Sequence, residues 1–475
     1  MNANTSKEFS LLNHKPALFV LFFTEMWERF SYYGMRAIFV LFLTASFSDG
    51  GWEWTRERAL GLLGIYTSSV YLTPLIGGII ADKFLGYQKA VALGALVMTL
   101  GHAAMSLETE TTLYIGIGLL IIGNGLFKPN VTSMVSGLYD KYPERKDGAF
   151  TIFYMGINAG AMVSPIITQW LASTLTDTPM MDNYKAVFGA AGVGMLISYI
   201  WFYIGRRQLK GVGAIKKTPL RTKNLVTVVF GALVSIIPVY ILMTYAGAQV
   251  LAWILFALFV GLAFILLKQT KNDGKVAFER VIACLIMFVF NVIFFMFFEQ
   301  AGSSFTFLAQ NIVDRSITEV VEFKIAWFQS VNSVAILIFA PLVSALWIFM
   351  HKKKVEPSIP RKFALGLLGT GLGFLVLVYA LENLLDANNM IPIWPLAACY
   401  VLHTIGELCL SPIGLSMVSK LVPASLAGFA FGGWFLSTAI GNNFSGILAG
   451  SISGETGMTV TSALSGFSFS FYLLT

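Results

Sequence analysis

Again and again along this chain of 475 residues, the sequence stays apolar for long stretches. Each stretch is near the length of about twenty residues that a helix needs to cross the hydrocarbon core of a bilayer. Such runs lie at residues 18–45, 59–80, 88–107, 112–138, 149–171, 185–205, 224–244, 248–268, 281–304, 323–349, 363–382, 391–418, 427–448 and 459–475, fourteen in all. Backbone amides and carbonyls cannot be left unpaired in hydrocarbon, which restricts spanning segments to helices or a closed barrel. Barrel strands alternate polar and apolar positions over about ten residues, whereas Ile282 to Phe298 is apolar all round, so the reading is helical. Residues of the set AVILMFWYC make up 56% and charged residues only 12%, and a compact soluble fold has too little interior to bury such a share. The expected fold class is an all-α polytopic membrane protein with fourteen transmembrane helices.

Lys and Arg gather in cytoplasmic connections. With the N-terminus inside, 24 of the 32 bases fall in inner segments, from Lys7 and Lys15 through Arg206, Lys216, Lys217 and Lys223 to Lys352, Arg361 and Lys420. Five fall outside, namely Arg56, Arg58, Lys185, Arg315 and Lys324. Helix parity and charge bias therefore agree on cytoplasmic N- and C-termini. The net charge of +7 reflects that topology; a nucleic-acid surface would need its bases clustered on a folded module. Cys284, Cys399 and Cys409 all fall within spans, so buried thiols are expected rather than disulfides. The polar start before Pro16 lacks the form of a cleaved signal peptide. The last run ends with no polar tail, and the chain is expected to be cut short there.

The most basic connection, Arg206 to Lys223, separates six runs from eight. The next two runs, Asn224 to Lys268, are almost free of charge and share a short turn at Ala246 to Gln249, as an inserted hairpin would. Removing them leaves six plus six, the layout of transporters whose halves rock about a central site. The expected organisation is an N-terminal six-helix bundle over 1–205, a basic linker with a transmembrane hairpin over 206–280, and a C-terminal six-helix bundle over 281–475. The core helices are H1 to H12 in chain order, leaving out the hairpin. A channel fits the same count.

Ionisable groups inside spans are costly and mark function. Here they are Glu25, Glu28, Arg29 and Arg36 in H1, Lys128 in H4, Glu299 in H7 and Glu407 in H10. At ~100° per residue, Glu25, Arg29, Tyr32 and Arg36 share one face of H1, flanked by Glu28 and Tyr33. Local salt bridges are the bland reading of this stripe, but Arg36 has no acid one turn away, and a water-filled cavity lined by H1 accounts for all six. The bases Arg29, Arg36 and Lys128 belong to the first half and the acids Glu299 and Glu407 to the second. A zwitterion with a carboxylate at one end and an ammonium at the other suits that distribution. Direct pairs, Lys128 with Glu407 and Arg36 with Glu299, would serve either as gates or as plain structural glue. Further cavity candidates are Tyr71, Tyr154, Asn158, Gln300, Asn332, Ser411 and Trp434, each equally readable as a helix-joining or anchoring residue.

Glu25-Met-Trp-Glu28-Arg29-Phe30-Ser-Tyr32-Tyr33-Gly34 resembles the ExxERFxYYG signature of proton-dependent oligopeptide transporters, a branch of the major facilitator superfamily. Phe153-Tyr154-Met-Gly-Ile157-Asn158-Ala-Gly160 resembles that family's FYxxINxG motif in H5, and Gly77 to Gly86 resembles the superfamily's H2–H3 loop motif. Lys128-Pro129-Asn130, Glu299-Gln300-Ala-Gly302, Asn332, Gly406-Glu407, Ser411-Pro412 and Trp434 match as well, and the extra hairpin is similar to bacterial members.

The resemblance implies a major facilitator fold and a proton-coupled symporter importing di- and tripeptides. Arg29 and Lys128 would hold the peptide carboxylate, while Glu407, with Asn158 and Asn332, would receive the amino terminus. Tyr32, Tyr33, Tyr71 and Trp434 would shape side-chain pockets, and Tyr154 and Ser411 are carried as further substrate contacts. Glu25, Glu28 and Arg29 would couple to protons, and Arg36 with Glu299 would form a proton-sensitive bridge. Two departures stand out: H2 has no histidine, and Phe295 occupies a position where relatives commonly carry tryptophan.

No nucleophile, metal cluster or paired aspartates with catalytic spacing lies in the spans, so an enzyme is not expected, and neither is a cofactor or a metal. The glycine runs at Gly116 to Gly125 and Gly366 to Gly373 lack the strand-to-helix context of a nucleotide loop and suit close helix packing. Expected partners are peptide, protons and the lipid bilayer, with no nucleic acid; the chain is expected to act as a monomer in a bacterial inner membrane. A carrier of another small anion or zwitterion, such as nitrate or an amino acid, is the alternative.

Overall fold

The computed structural model describes residues 14–174, 183–214, 221–271, 273–319, 321–454 and 457–475. Lys7, Lys216 and Lys217, counted above among the inner bases, lie outside the described residues. Fourteen long helices account for almost all of the rest: α1 (Pro16–Thr44), α2 (Arg56–Ile80), α3 (Tyr87–Met105), α4 (Glu110–Leu138), α5 (Lys146–Thr174), α6 (Tyr184–Gly205), α7 (Arg221–Ile241), α8 (Gly247–Thr270), α9 (Lys275–Phe298), α11 (Phe328–Lys352), α12 (Ile359–Asn383), α13 (Trp394–Leu421), α14 (Ala427–Ser453) and α15 (Val460–Leu474). A short α10 (Ser304–Asn311) continues the seventh core helix beyond a break. Among the described residues, β structure amounts to two isolated bridges, Val313 with Ile391 and Ser316 with Glu322.

Helix ends follow local chemistry. Thr109 and Thr112 form a reciprocal capping box at the start of α4, as do Thr459 and Ser462 at the start of α15, each satisfying amides that have no partner within the helix. Gly86, with φ of 74°, separates the π-helical segment Ala81–Leu85 from α3. Its left-handed backbone closes the H2–H3 loop motif at a conformation that costs glycine little.

Nine described segments are long and apolar enough to cross a membrane. One of them, Leu225–Thr270, has 46 residues, enough for both α7 and α8. Only 22% of its most apolar window is buried, and only 17% of that of Ile325–Lys352, so Phe230, Trp253, Phe264 and Leu342 point outward. Faces this apolar are stable when hydrocarbon surrounds them.

The chain forms two compact units. Unit 1 holds 1–38, 48–50 and 72–245; unit 2 holds 39–47, 51–71 and 246–475. In unit 1, α3 packs along α4 and α6, and α5 along α6. The α3–α4 crossing is a glycine seam: a methyl on Gly101 would stand 2.9 Å from the Gly116 carbonyl, and one on Gly94 would stand 2.6 Å from that of Gly123. In unit 2, α12 packs along α13 and α15, and α9 along α14. A second seam pairs Gly366 with Gly406, where a methyl on Gly406 would lie 2.6 Å from the Gly366 carbonyl. The glycine runs do serve close packing.

Unit 2 includes the first part of α2. Arg56 donates from Nη2 to Asn311 Oδ1 at 2.9 Å and stacks 4.1 Å above the Phe307 ring, and Gly64 abuts Gly446. The two helices read as an inserted hairpin have different main partners. Helix α7 packs on α4, with the Tyr240 ring 5.7 Å from that of Tyr114; α8 packs on α14 and α9, with Leu262 against Gly433. Their connection is a π-helical stretch, Leu242–Ala246, followed by Gly247 at φ +75°.

Candidate functional site

Unit 1 gathers the H1 motif. Helix α1 is fixed by side chains donating to its carbonyls, Ser198 of α6 to Thr24 O at 2.7 Å and Ser164 of α5 to Phe30 O, while Thr168 Oγ1 of α5, which donates to Ser164 O at 2.9 Å, lies 3.4 Å from Gly34 O. Ser31 donates to Ala191 O at 2.8 Å and lies 2.7 Å from His102 Nε2. A hydroxyl has one proton, so His102 must be the donor in the second contact. Gly160, the last residue of the H5 motif, meets the Met26 carbonyl and the Cβ of Arg29. The two motifs thus touch, and the glycine is what lets them.

On that frame Glu25, Glu28 and Arg29 are 2%, 1% and 3% exposed, buried rather than open to a wide cavity. Arg29 is forked onto Glu28, with Nη2 to Oε1 at 2.6 Å and Nε to Oε2, and its Nε lies 3.4 Å from Glu25 Oε1. The local pairing considered for the stripe is therefore present for these three residues, because a buried charge demands a partner at short range. Arg36 takes no part in this fork and is buried about two turns further on. The guanidinium of Arg29 sits 5.0 Å from the Tyr32 ring and 6.0 Å from that of Tyr33, within cation–π range. Lys128, half-buried in α4, acts electrostatically on Glu25. Asn124, a residue that sequence reasoning missed, donates from Nδ2 to Glu28 Oε1 at 3.3 Å. Glu25 Oε2 has no hydrogen-bond partner.

Also in unit 1, Tyr154 is exposed, and its carbonyl accepts from Asn158 Nδ2 at 2.9 Å. Asn158 is thus turned partly to its own helix.

Unit 2 gathers the acids. Glu407 on α13 accepts from Asn332 Nδ2 of α11 at 3.3 Å, and the same amide donates to Thr404 Oγ1 at 2.9 Å. Thr404 also went unread in the sequence, although it stands one turn from Glu407 on the same face. Glu299 is buried in the turn Glu299–Gly302 that interrupts the seventh core helix, and it acts electrostatically on Glu407. That run had been read as one continuous helix; the break falls where Ser303 adopts φ −130° and ψ −95°. Gln300 is consumed structurally, donating to Ser445 O at 3.2 Å and accepting from Ser304 at 2.6 Å.

Trp434 is buried between Phe288 and Phe363, with ring centroids 6.2 and 6.1 Å away, over Gly414. Ser411 is half-buried with an unpartnered Oγ. Tyr71 closes the part of α2 that belongs to unit 2. Among the described residues no three His, Cys, Asp or Glu side chains are grouped to hold a metal.

Outside the spans, Glu356 accepts from His351 at 2.7 Å and pairs with Lys362. These hydrogen bonds, Lys362 first and then His351, hold its carboxyl below the ordinary value of 4.5.

Long apolar helices with outward apolar faces, and ionisable clusters buried inside them, define a polytopic membrane protein built around intramembrane charge. The comparisons place it more closely. The POT family profile matches residues 88–462, and the chain belongs to the POT family. It is 34% identical to the peptide transporter YePEPT of Yersinia enterocolitica subsp. palearctica serotype O:3, over 96% of this chain and 91% of that protein. It is 33% identical to dipeptide and tripeptide permease A of Erwinia pyrifoliae, over 92% and 86%. A crystal structure of peptide transporter POT in complex with sulfate superposes with a TM-score of 0.83 at 31% identity, covering 99% of this chain and 96% of that one. The fold is accordingly the major facilitator fold, and the protein is a multi-span transporter rather than an enzyme.

Proposed function

We propose that the chain is a proton-coupled symporter that imports di- and tripeptides by alternating access, acting as a monomer in a bacterial inner membrane with both termini cytoplasmic. The observation that carries this reading is the segregation of intramembrane charge: Arg29, Arg36 and Lys128 belong to unit 1, and Glu299 and Glu407 to unit 2. Arg29 and Lys128 receive the peptide carboxylate, and Glu407, with Asn332 and Asn158, its ammonium. Tyr32, Tyr33, Tyr71, Tyr154, Ser411 and Trp434 border the side chains. Glu25, Glu28 and Glu299 carry the coupling proton, with Arg29 and Arg36 as counter-charges. Glu25 is the apt member of the H1 motif, since its Oε2 has room in its hydrogen-bonding for a proton.

Coupling requires that proton and peptide each bias one shared two-state equilibrium. The inward membrane potential adds about 2.3 kcal/mol per charge per 100 mV. The names borne by the peptide transporters and di- and tripeptide permeases to which the chain is similar support this substrate class.

The test is uptake of labelled dialanine into proteoliposomes under an imposed pH gradient, with unlabelled dialanine and amine-blocked dialanine as competitors. Gradient-driven uptake that free dialanine suppresses, and the blocked peptide does not, is expected. Absence of uptake, or equal competition by the blocked peptide, refutes the substrate reading or the role of Glu407, respectively.

A further inference from the structure

Asn291, Asn332 and Asn443 reach other helices, while several side-chain amides turn back on their own backbone. Asn130 donates to Leu126 O at 2.7 Å, Asn158 to Tyr154 O at 2.9 Å and Asn442 to Thr438 O at 3.0 Å. Asn124 crosses to another helix instead, and the acceptor it reaches is a carboxylate of the H1 motif.

Its mounting explains how. Asn124 stands between Gly123 and Gly125. Gly123 is clamped by α3, where a methyl would lie 2.8 Å from the Gly94 carbonyl. Gly125 is clamped by α2, where a methyl would lie 2.9 Å from the Thr73 carbonyl, and Thr73 Oγ1 donates to Ile121 O at 3.0 Å. Pro129 adds a further contact, because a proline at that position leaves the Gly125 carbonyl without its intrahelical donor, and Gly77 packs on that carbonyl. The backbone on either side of Asn124 is therefore fixed against two different helices, with its side chain aimed at α1. Asn124 is 2% exposed, and its Oδ1 takes no hydrogen bond, so the residue retains a buried, partly unsatisfied amide where leucine would pack at lower cost.

We propose that Asn124 is a positioning residue for peptide binding. It holds Glu28 Oε1 in place, so that Glu28 grips Arg29 by its Nε and Nη2 edge and presents the Nη1 edge to the substrate carboxylate. The charged groups around the Glu28–Arg29 pair are Glu25 on α1 and Lys128 on α4, with Tyr33 on α1 beside Arg29; Asn124 is the neutral donor among them. The role deepens the proposed function and rests on it, since it takes Arg29 as the carboxylate-binding group.

A hydrogen bond to a charged group is a large enough term that its loss reads as about a tenfold change. Asn124→Leu is expected to raise KM for dialanine about tenfold with kcat within about twofold, as for a contact made equally before and during translocation. In a Glu28→Met background, followed by dialanine exchange rather than gradient-driven uptake because Glu28 belongs to the coupling set, the same change is expected to alter KM less than twofold, and Asn124→Ser, which keeps a hydroxyl donor, to restore part of the loss. Equal KM increases in both backgrounds would show a packing role and overturn the proposal, as would an unchanged KM in Asn124→Leu.

Thermal midpoints of the four purified proteins, wild type, each single variant and the double variant, form the same cycle without transport. Non-additive shifts are expected, and additive shifts overturn the Asn124–Glu28 link. Should wild-type protein take up no dialanine, the substrate reading fails on its own, while the thermal cycle still decides whether Asn124 acts through Glu28.

Discussion

The contact between the H5 and H1 motifs makes Gly160→Ala an informative change. A methyl at residue 160 would stand 3.1 Å from Arg29 Cβ and inside contact distance of the Met26 carbonyl. Carbon atoms settle at about 3.5–4.0 Å from their neighbours, and the Met26 carbonyl is the closer obstacle, so α1 and α5 must separate by about an ångström or more. Overpacking of this kind costs about 1–3 kcal/mol of stability. The displacement also falls on Arg29, itself half of the fork with Glu28. A misplacement of about 1 Å in a binding constellation can cost about a hundredfold in rate. Uptake of dialanine is therefore expected to fall between about tenfold and about a hundredfold, or ~1.4–2.7 kcal/mol. Gly116→Ala is the matched control, because its methyl would be 2.7 Å from the Gly101 carbonyl, in the α3–α4 seam and remote from the fork in sequence and contact. Both proteins are compared by gradient-driven uptake and by thermal midpoint at equal reconstitution. If Gly160→Ala transports like wild type, or loses no more uptake than Gly116→Ala at the same loss of stability, the reasoning that joins the two motifs is refuted.

Three further changes probe separate parts. Thr404→Val removes the hydroxyl that fixes Asn332, and a neutral hydrogen bond of about 0.5–1.5 kcal/mol predicts a two- to tenfold higher KM for dialanine, checked by saturation of uptake; an unchanged KM would show that Asn332 holds Glu407 without help. Glu356 is held below its ordinary value of 4.5 by Lys362 and His351, so its contribution to stability is present above about that pH and is lost as pH falls through the depressed value. The gap in thermal midpoint between wild type and Glu356→Gln should accordingly close on acidification, and a gap that stays constant into strong acid would rule out this clasp. Glu299→Gln should abolish accumulation against a gradient while dialanine exchange persists; accumulation still driven by a proton gradient would remove Glu299 from the coupling path.

The helices were legible because hydrocarbon forces a simple code: an apolar run at 149–171 became α5 (Lys146–Thr174), longer by a few residues at both ends, and one at 427–448 became α14 (Ala427–Ser453), longer at its C-terminal end. The intramembrane charges were legible for the same reason, since each is an exception that must find a partner. Connections made by neutral residues were harder to see. Asn124 and Thr404 carry no charge, although each lies one turn from a charged residue, Lys128 or Glu407, and that spacing was the signal available. The break at Glu299–Gly302 was hidden because its residues fit a helix and only the backbone at Ser303 departs. The separate packing of α7 and α8 was hidden because apolar residues facing lipid and apolar residues facing a neighbour look alike in a sequence.

The glycine seams carry an evolutionary consequence. Gly94 faces Gly123, Gly101 faces Gly116 and Gly366 faces Gly406, and in each pair either methyl would meet the other residue's carbonyl. When a large side chain grows in an ordinary core, a neighbour can shrink to make room. Here the neighbour is already the smallest residue there is, and the obstacle is main chain that no substitution removes. Such positions have no second-site suppressor within the pair. Room for a larger side chain comes only when the whole crossing is rebuilt, so the two helices of each pair can change their spacing only together.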